Sequence, residues 1–251
     1  MCFTVILIIL FTACSVEEQK IVVPSARTTA LLEKVESLKS RGDRIEKKLL
    51  LKKDSIESIS GFSVKDFTNE DKDFVNLGSM SKDFVFDMRY ATNNNFLKEK
   101  VYPCDKCYVR QEVAKALMNA NINFMKLGYK IKFFDCYRPY SVQKKMWKIF
   151  PNPGYVADPK GGSVHNRGAA VDITLVTLEG EEVDMGTDFD HFGKEAHHSY
   201  TSHSDKVKKN RTMLRGVMVK YGFSPINTEW WHYNFSTGKK YKISDFVWSC
   251  D

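Results

Sequence analysis

The chain has no apolar run long enough to cross a bilayer, since its longest, Val5 to Phe11, covers seven residues. A membrane-spanning helix needs about 20, so this run cannot serve as one. A basic tract is missing too. The formal charge of +7 is spread over pairs such as Lys47-Lys48, Lys52-Lys53 and Lys208-Lys209, which sit among acids. That distribution suits a solvated surface and argues against nucleic acid as a partner. Cysteine is sparse, six in 251 residues, and the C-x-x-C of Cys104 and Cys107 has no second pair to complete a four-cysteine zinc site. No internal repeat occurs, which excludes solenoids and propellers.

The short apolar run is followed by Thr12-Ala13-Cys14 and then by polar Ser15 to Lys20. It suits a signal-peptide core. The small residue before Cys14 resembles a bacterial lipobox, in which cleavage precedes a cysteine that then takes lipid. Phe11 stands where Leu is usual and no Lys or Arg precedes the run, so a plain secretory signal is the competing reading. The expectation is a signal peptide over 1–13, lipid on Cys14, a tether over 14–27 and a membrane-anchored, extracytoplasmic protein. Cys104, Cys107, Cys136 and Cys250 then remain. An oxidising compartment favours disulfides among them, in one of three pairings that sequence does not rank.

Residues 28–60 carry Leu31, Val35, Leu38, Gly42, Ile45, Leu49, Lys52, Ile56 and Ile59 at alternating steps of four and three, seven of the nine apolar. This is a heptad seam, interrupted at Gly42-Asp43. It reads as a helical stalk that makes a homo-oligomer, or as an amphipathic linker helix. From 61 to 251 the texture is mixed. A helix carries Val113, Leu117, Ala120, Phe124 and Leu127 on one face and stops at Gly128. Strands are expected at Val85 to Tyr90, Tyr129 to Phe133, Val171 to Leu175 and Trp231 to Phe235, with a hairpin turn at Glu179-Gly180-Glu181. Pro139 opens a helix holding Met146 and Trp147, and a last helix ends at Gly222. The predicted fold is α+β: one domain, with a central antiparallel sheet flanked by helices, preceded by the helical N-terminal segment.

Two motifs carry chemistry. Ser163-Val164-His165-Asn166-Arg167-Gly168-Ala169-Ala170-Val171-Asp172 places a histidine on a loop and a carboxylate on the strand that follows. Gly168 allows the tight turn between them. Fifty-seven residues beyond Asp172, Glu229-Trp230-Trp231-His232 adds a second histidine and a second acid. Two histidines and a carboxylate form a recurrent ligand set for catalytic zinc, one ion per chain, with a fourth position left for water. Glu229 is placed to take that water's proton. The two tryptophans would exclude water and raise the Glu229 pKa toward a useful value.

In order and spacing these residues are similar to the zinc D-Ala-D-Ala peptidases, above all the D-alanyl-D-alanine dipeptidases of the vancomycin-resistance (VanX) type. The resemblance runs from about Asp87 to Phe235. It implies His165, Asp172 and His232 as zinc ligands and Glu229 as general base. Tyr137-Arg138-Pro139 also matches, which implies that Arg138 stabilises the tetrahedral oxyanion. Met185-Gly186-Thr187-Asp188-Phe189-Asp190 matches the family's Met-Gly-x-x-Phe-Asp element. Asp190, with Ser163 and Tyr90, is thereby the implied acceptor of a dipeptide's free ammonium. The stretch from His165 to Asp190 is one residue shorter than the family pattern. His191, His197, His198 and His203 fall in a polar loop and are read as non-ligands, Asp188 as a surface residue, and Tyr137 with the tryptophans as pocket walls. The implied activity is hydrolysis of D-Ala-D-Ala in cell-wall peptide recycling. The competing expectations are a D,D- or L,D-carboxypeptidase acting on peptidoglycan stems and an inactive zinc module that binds wall peptides.

Overall fold

The computed structural model describes residues 74–250, so the expectations for the leader, Cys14, the tether and the 28–60 helix lie outside the described residues. Three apolar, β-rich runs become the middle of a five-stranded sheet. They are β4 (Tyr129–Asp135), β5 (Ala170–Thr177) and β7 (Glu229–Phe235). With β2 (Val85–Phe86) and β6 (Phe223–Ile226) at the edges, the order is β2-β4-β5-β7-β6. Three pairings are antiparallel, as predicted, but β2 lies parallel to β4. The expected strand from Val85 to Tyr90 ends at Phe86 and gives way to a 3₁₀ turn over Arg89–Ala91. A separate small ribbon pairs β1 (Phe74–Asn76) with β3 (Tyr108–Arg110). It was not legible in sequence, because three-residue strands carry almost no periodicity.

Residues 131–135 of β4 are all buried rather than alternating, because the strand is interior and covered on both faces. Among the described residues there are four α-helices: α1 (Leu77–Met80), α2 (Gln111–Lys126), α3 (Tyr140–Ile149) and α4 (Asp205–Lys220). Val113, Leu117, Ala120 and Phe124 line the buried face of α2, as their spacing predicts. Leu127 does not join them. It is the C-cap residue and 49% exposed, since Gly128 at φ +90° turns the chain away. Gly180, at φ +95°, forms the expected hairpin tip, with the Thr177 N–H bonded to the Glu181 carbonyl.

Two irregularities in the ladder matter for the site. The register slips between Phe133 and Asp135 on β4, and again where Pro225 and Ile226 of β6 face β7. In a regular strand, residues three apart point to opposite faces. The slip in β7 falls between Glu229 and Tyr233, and it lets Glu229 and His232 turn toward one side. Disulfides join Cys104 to Cys250 and Cys107 to Cys136, which settles the pairing.

Candidate metal centre

Asp172 and His232 are direct cross-strand partners in the β5–β7 ladder. Register alone therefore brings two ligand candidates side by side. His165 arrives from a 3₁₀ turn, His165–Arg167, that closes on Gly168 in the left-handed conformation at φ 69°. A side chain at Gly168 would run into the Phe74 ring, so both φ and space require glycine there. Ser163 braces the entry to this turn, its Oγ accepting from the His165 N–H at 3.2 Å.

The three donor atoms lie within 4.8 Å of one another and all three residues are buried. His165 Nε2 is 3.1 Å from His232 Nδ1 and 3.4 Å from Asp172 Oδ1, and His232 Nδ1 is 2.9 Å from Asp172 Oδ1. The outer nitrogens fix the tautomers. His165 Nδ1 stands 2.6 Å from the Cys136 carbonyl oxygen and His232 Nε2 stands 2.9 Å from Asn234 Oδ1. In the tautomer that donates from each outer nitrogen to its oxygen, each inner nitrogen presents a lone pair to its neighbours. Two lone pairs and a carboxylate oxygen converging on one point call for a cation. Zinc fits, because bonds of about 2.0–2.1 Å in tetrahedral geometry place ligand atoms roughly 3.3 Å apart. Neighbouring His165 and His232 hold the Asp172 carboxyl well below the usual range against its burial, so this ligand is an anion.

Glu229 Oε2 lies 4.0 Å from His232 Nδ1. Burial first, with Asp172 and Asp190 adding to it, pushes the Glu229 carboxyl up to about 8. Arg138 lines the same cavity and is held by neighbours that sequence reasoning did not single out. Asp135 Oδ2 accepts from its Nε at 3.1 Å and its Nη2 at 2.7 Å, and Gln143 Oε1 accepts from Nη1 at 2.9 Å. Asp135 Oδ1 takes the Tyr102 hydroxyl at 2.6 Å and the Cys136 N–H at 2.9 Å. Asn166 ties the Arg138 carbonyl to the His165 turn at 2.8 Å. The only sequence signal for Asp135 is its place three residues before Arg138 on the same strand end.

Asp190 also reaches this cavity. Its carboxylate accepts from the Tyr90 hydroxyl at 3.1 Å and from the Phe96 N–H at 3.3 Å. Burial first, then Asp172, pushes its carboxyl up to about 7. It adopts φ 60°, a left-handed conformation that aspartate tolerates better than most residues. Asp188 is exposed. The cavity holds about 250 Å³ and brings together Tyr90, Arg138, Ser163, His165, Asp172, Asp190, Glu229 and His232. Phe96, Tyr155 and Phe192, from three separate loops, stack into one of its walls. Trp231 is a wall, but two expected walls are not. Tyr137 turns away and donates to the Phe246 carbonyl, and Trp230 points its indole N–H at Thr187. His191 and His203 both turn to Glu195.

A sheet end that gathers a metal-capable triad, with an acid and a guanidinium facing the same small cavity, is the arrangement of a metallopeptidase. Comparison with known proteins gives the family. Residues 70–246 match the Peptidase M15 family, described as D-ala-D-ala dipeptidase, and the chain belongs to it. The D-alanyl-D-alanine dipeptidase of Escherichia coli is 30% identical over 178 residues, 71% of this chain and 92% of that protein. Its namesake from Enterococcus faecalis is 34% identical over 184 residues, covering 64% and 90%. Among solved structures, the LdcB LD-carboxypeptidase overlaps 70% of this chain and 72% of its own, at 24% identity and a TM-score of 0.40.

Proposed function

We propose that this chain is a zinc-dependent dipeptidase that cleaves D-Ala-D-Ala into two D-alanines. The observation that carries the reading is the convergence of His165 Nε2, His232 Nδ1 and Asp172 Oδ1, with both outer histidine nitrogens already committed. These three residues would hold the ion. When bound, zinc supplies a Lewis acid for the scissile carbonyl and brings a water's pKa near neutrality.

The remaining work falls to the chain's own side chains. Glu229 takes the attacking water's proton and returns it to the leaving amine. A carboxyl raised by burial binds that proton strongly enough to deliver it. Of the five guanidinium N–H donors, Arg138 spends three on Asp135 and Gln143, which leaves two to meet the developing oxyanion. Asp190 receives the substrate's ammonium, with Tyr90 and the Phe96 N–H fixing its carboxylate and Ser163 at the same cavity. An anion at that end rewards a free amino terminus. A cavity of about 250 Å³ sits at the small end of ligand pockets, which run from about 300 to 1,000 Å³, and suits a dipeptide with methyl side chains.

Two disulfides support an oxidising, extracytoplasmic location. Lipidation at Cys14 would tether the enzyme there. That placement favours recycling of wall-derived dipeptide, since newly made dipeptide is cytoplasmic. The function is tested by stripping metal with a chelator and adding zinc back. The expected result is D-alanine release that returns at one zinc per chain, and in Glu229→Gln, zinc retained with the rate lost. Full activity after metal removal would defeat the proposal.

A further inference from the structure

The Cys107–Cys136 disulfide lies immediately behind the metal-capable triad, at the end of β4. Two consecutive residues there hold residues of the site, and the next ties the segment to β3. Asp135 carries Arg138 through its Oδ2. Cys136 offers its carbonyl to His165 Nδ1 at 2.6 Å. Tyr137 donates its backbone N–H to the Tyr108 carbonyl at 2.8 Å. The β4–β5 register slips just before this segment, between Phe133 and Asp135, and the ladder ends at the Asp135–Asp172 pair, so Cys136 lies beyond it. The bridge supplies a second hold. Cys107 is buried, its carbonyl accepts the Leu77 N–H at 2.8 Å, and the residue next to it begins β3.

We propose that the Cys107–Cys136 bridge is a positioning element of the metal centre: it clamps the Cys136 carbonyl against His165 and the Asp135 carboxylate against Arg138. The inference rests on the metal-centre reading given above. A carbonyl that holds the outer nitrogen of a ligand histidine orients the ring and fixes its tautomer, and losing such a partner typically costs about 10- to 100-fold in metal affinity. Without the bridge, the hold of this strand end on β3 falls to the Tyr137–Tyr108 backbone hydrogen bond. A displacement of a few tenths of an ångström would draw the carbonyl out of line with Nδ1. Either cysteine alone would only pack. The pair matters because it ties the irregular end of β4 to the ordered start of β3.

The other disulfide provides the control. Cys104–Cys250 spans 146 residues and Cys107–Cys136 spans 29. Loop-closure entropy makes loss of the longer bridge the larger blow to stability. On loop entropy alone, a purely structural role for both bridges ranks Cys104→Ala/Cys250→Ala as the less stable variant, and any loss of zinc affinity follows that ranking. The positioning role reverses that ranking for zinc alone. The experiment measures zinc affinity of the full chain by competition with a chromogenic chelator, beside thermal unfolding of the metal-free proteins. The expected result is a 10- to 100-fold weaker affinity in Cys107→Ala/Cys136→Ala, and an affinity within about threefold of wild type in Cys104→Ala/Cys250→Ala. Equal affinities, or losses that follow the melting temperatures, overturn the proposal.

Should Cys107→Ala/Cys136→Ala fail to fold, the Cys104→Ala/Cys250→Ala protein, zinc-loaded, is treated with a phosphine. The phosphine supplies two electrons, is oxidised to its oxide with oxygen from water, and leaves two thiols. Zinc release that keeps pace with thiol appearance, at constant far-ultraviolet ellipticity, supports the positioning role. Zinc retained after both thiols have formed overturns it. Wild type that binds no zinc at all would overturn the metal-centre reading itself, a distinct outcome.

Discussion

Replacing Asp135 by Asn keeps the shape of the side chain and removes its charge. Asp135 is fully buried and Arg138 is 8% exposed, with 2.7 Å between Asp135 Oδ2 and Arg138 Nη2. Two unit charges about 4 Å apart attract by about 4 kcal/mol at an effective dielectric of about 20. Breaking a buried pair while leaving one charge behind costs a similar amount, about 3–5 kcal/mol. An asparagine could still accept from Tyr102 and the Cys136 N–H through one oxygen. Its amide N–H₂ would then confront two guanidinium N–H donors, and Arg138 would swing out of place. A domain of this kind has only about 5–15 kcal/mol of stability to lose. The expected outcome is a urea midpoint lowered by the equivalent of about 3–4 kcal/mol. The same protein should show kcat reduced by about 10²–10³, the usual effect of losing an oxyanion donor, at nearly unchanged KM. Urea titration followed by tryptophan fluorescence, together with steady-state D-alanine release, measures both. A midpoint within experimental scatter of wild type and a kcat within threefold would refute the claim that Asp135 holds Arg138.

Three further outcomes are expected, two from the same geometry and one from the sequence around Cys14. Asp190→Asn should lower kcat/KM on free D-Ala-D-Ala by roughly 30- to 150-fold, about 2–3 kcal/mol of charge pairing, while leaving any residual cleavage of an N-acylated analogue unaltered; equal losses on both would remove Asp190 from ammonium binding. For the metal-free protein, burial raises the folded pKa of Asp190 to about 7 and of Glu229 to about 8, above their values in the unfolded chain. The folded state then binds more protons than the unfolded, so stability is fully present at low pH and is lost as pH rises through 7 and 8. Between pH 6.5 and 8.5 this amounts to about 2–3 kcal/mol at 1.36 kcal/mol per unit, and calorimetry showing a melting temperature that is flat or rising over that window would contradict it. Labelling with a lipid precursor should mark the wild-type chain and vanish in Cys14→Ser, and persistence of label in that variant would place the lipid elsewhere.

The ligand candidates were legible because each sits in a local pattern: a glycine turn after His165, a β-rich run around Asp172, and a short E-x-x-H motif. What sequence could not show is why Glu229 and His232, three apart on one strand, serve the same side. That depends on a slip in the β6–β7 register, and a slip is a property of two strands rather than of one stretch of chain. The hold on Arg138 was hidden for a similar reason. Tyr102, Asp135, Gln143 and Asn166 come from four segments and meet only in the folded chain. Leu127 followed the helical spacing but fell one residue past the end of α2, where Gly128 redirects the backbone. The aromatic wall was mistaken in its members. Trp230 lies on the bulged strand β7, where the bulge decides which face a side chain takes, and Tyr137 lies past the end of β4, where strand alternation no longer applies.

The central claim is that a zinc centre and an ammonium clamp share one cavity and so make a dipeptidase. It is tested most directly by comparing kcat/KM of the zinc-loaded protein on free D-Ala-D-Ala and on N-acetyl-D-Ala-D-Ala. A preference of at least about 10²-fold for the free dipeptide is expected, since the acetylated form leaves Asp190 without its cation. Equal or faster cleavage of the acetylated substrate would contradict it and point to a carboxypeptidase.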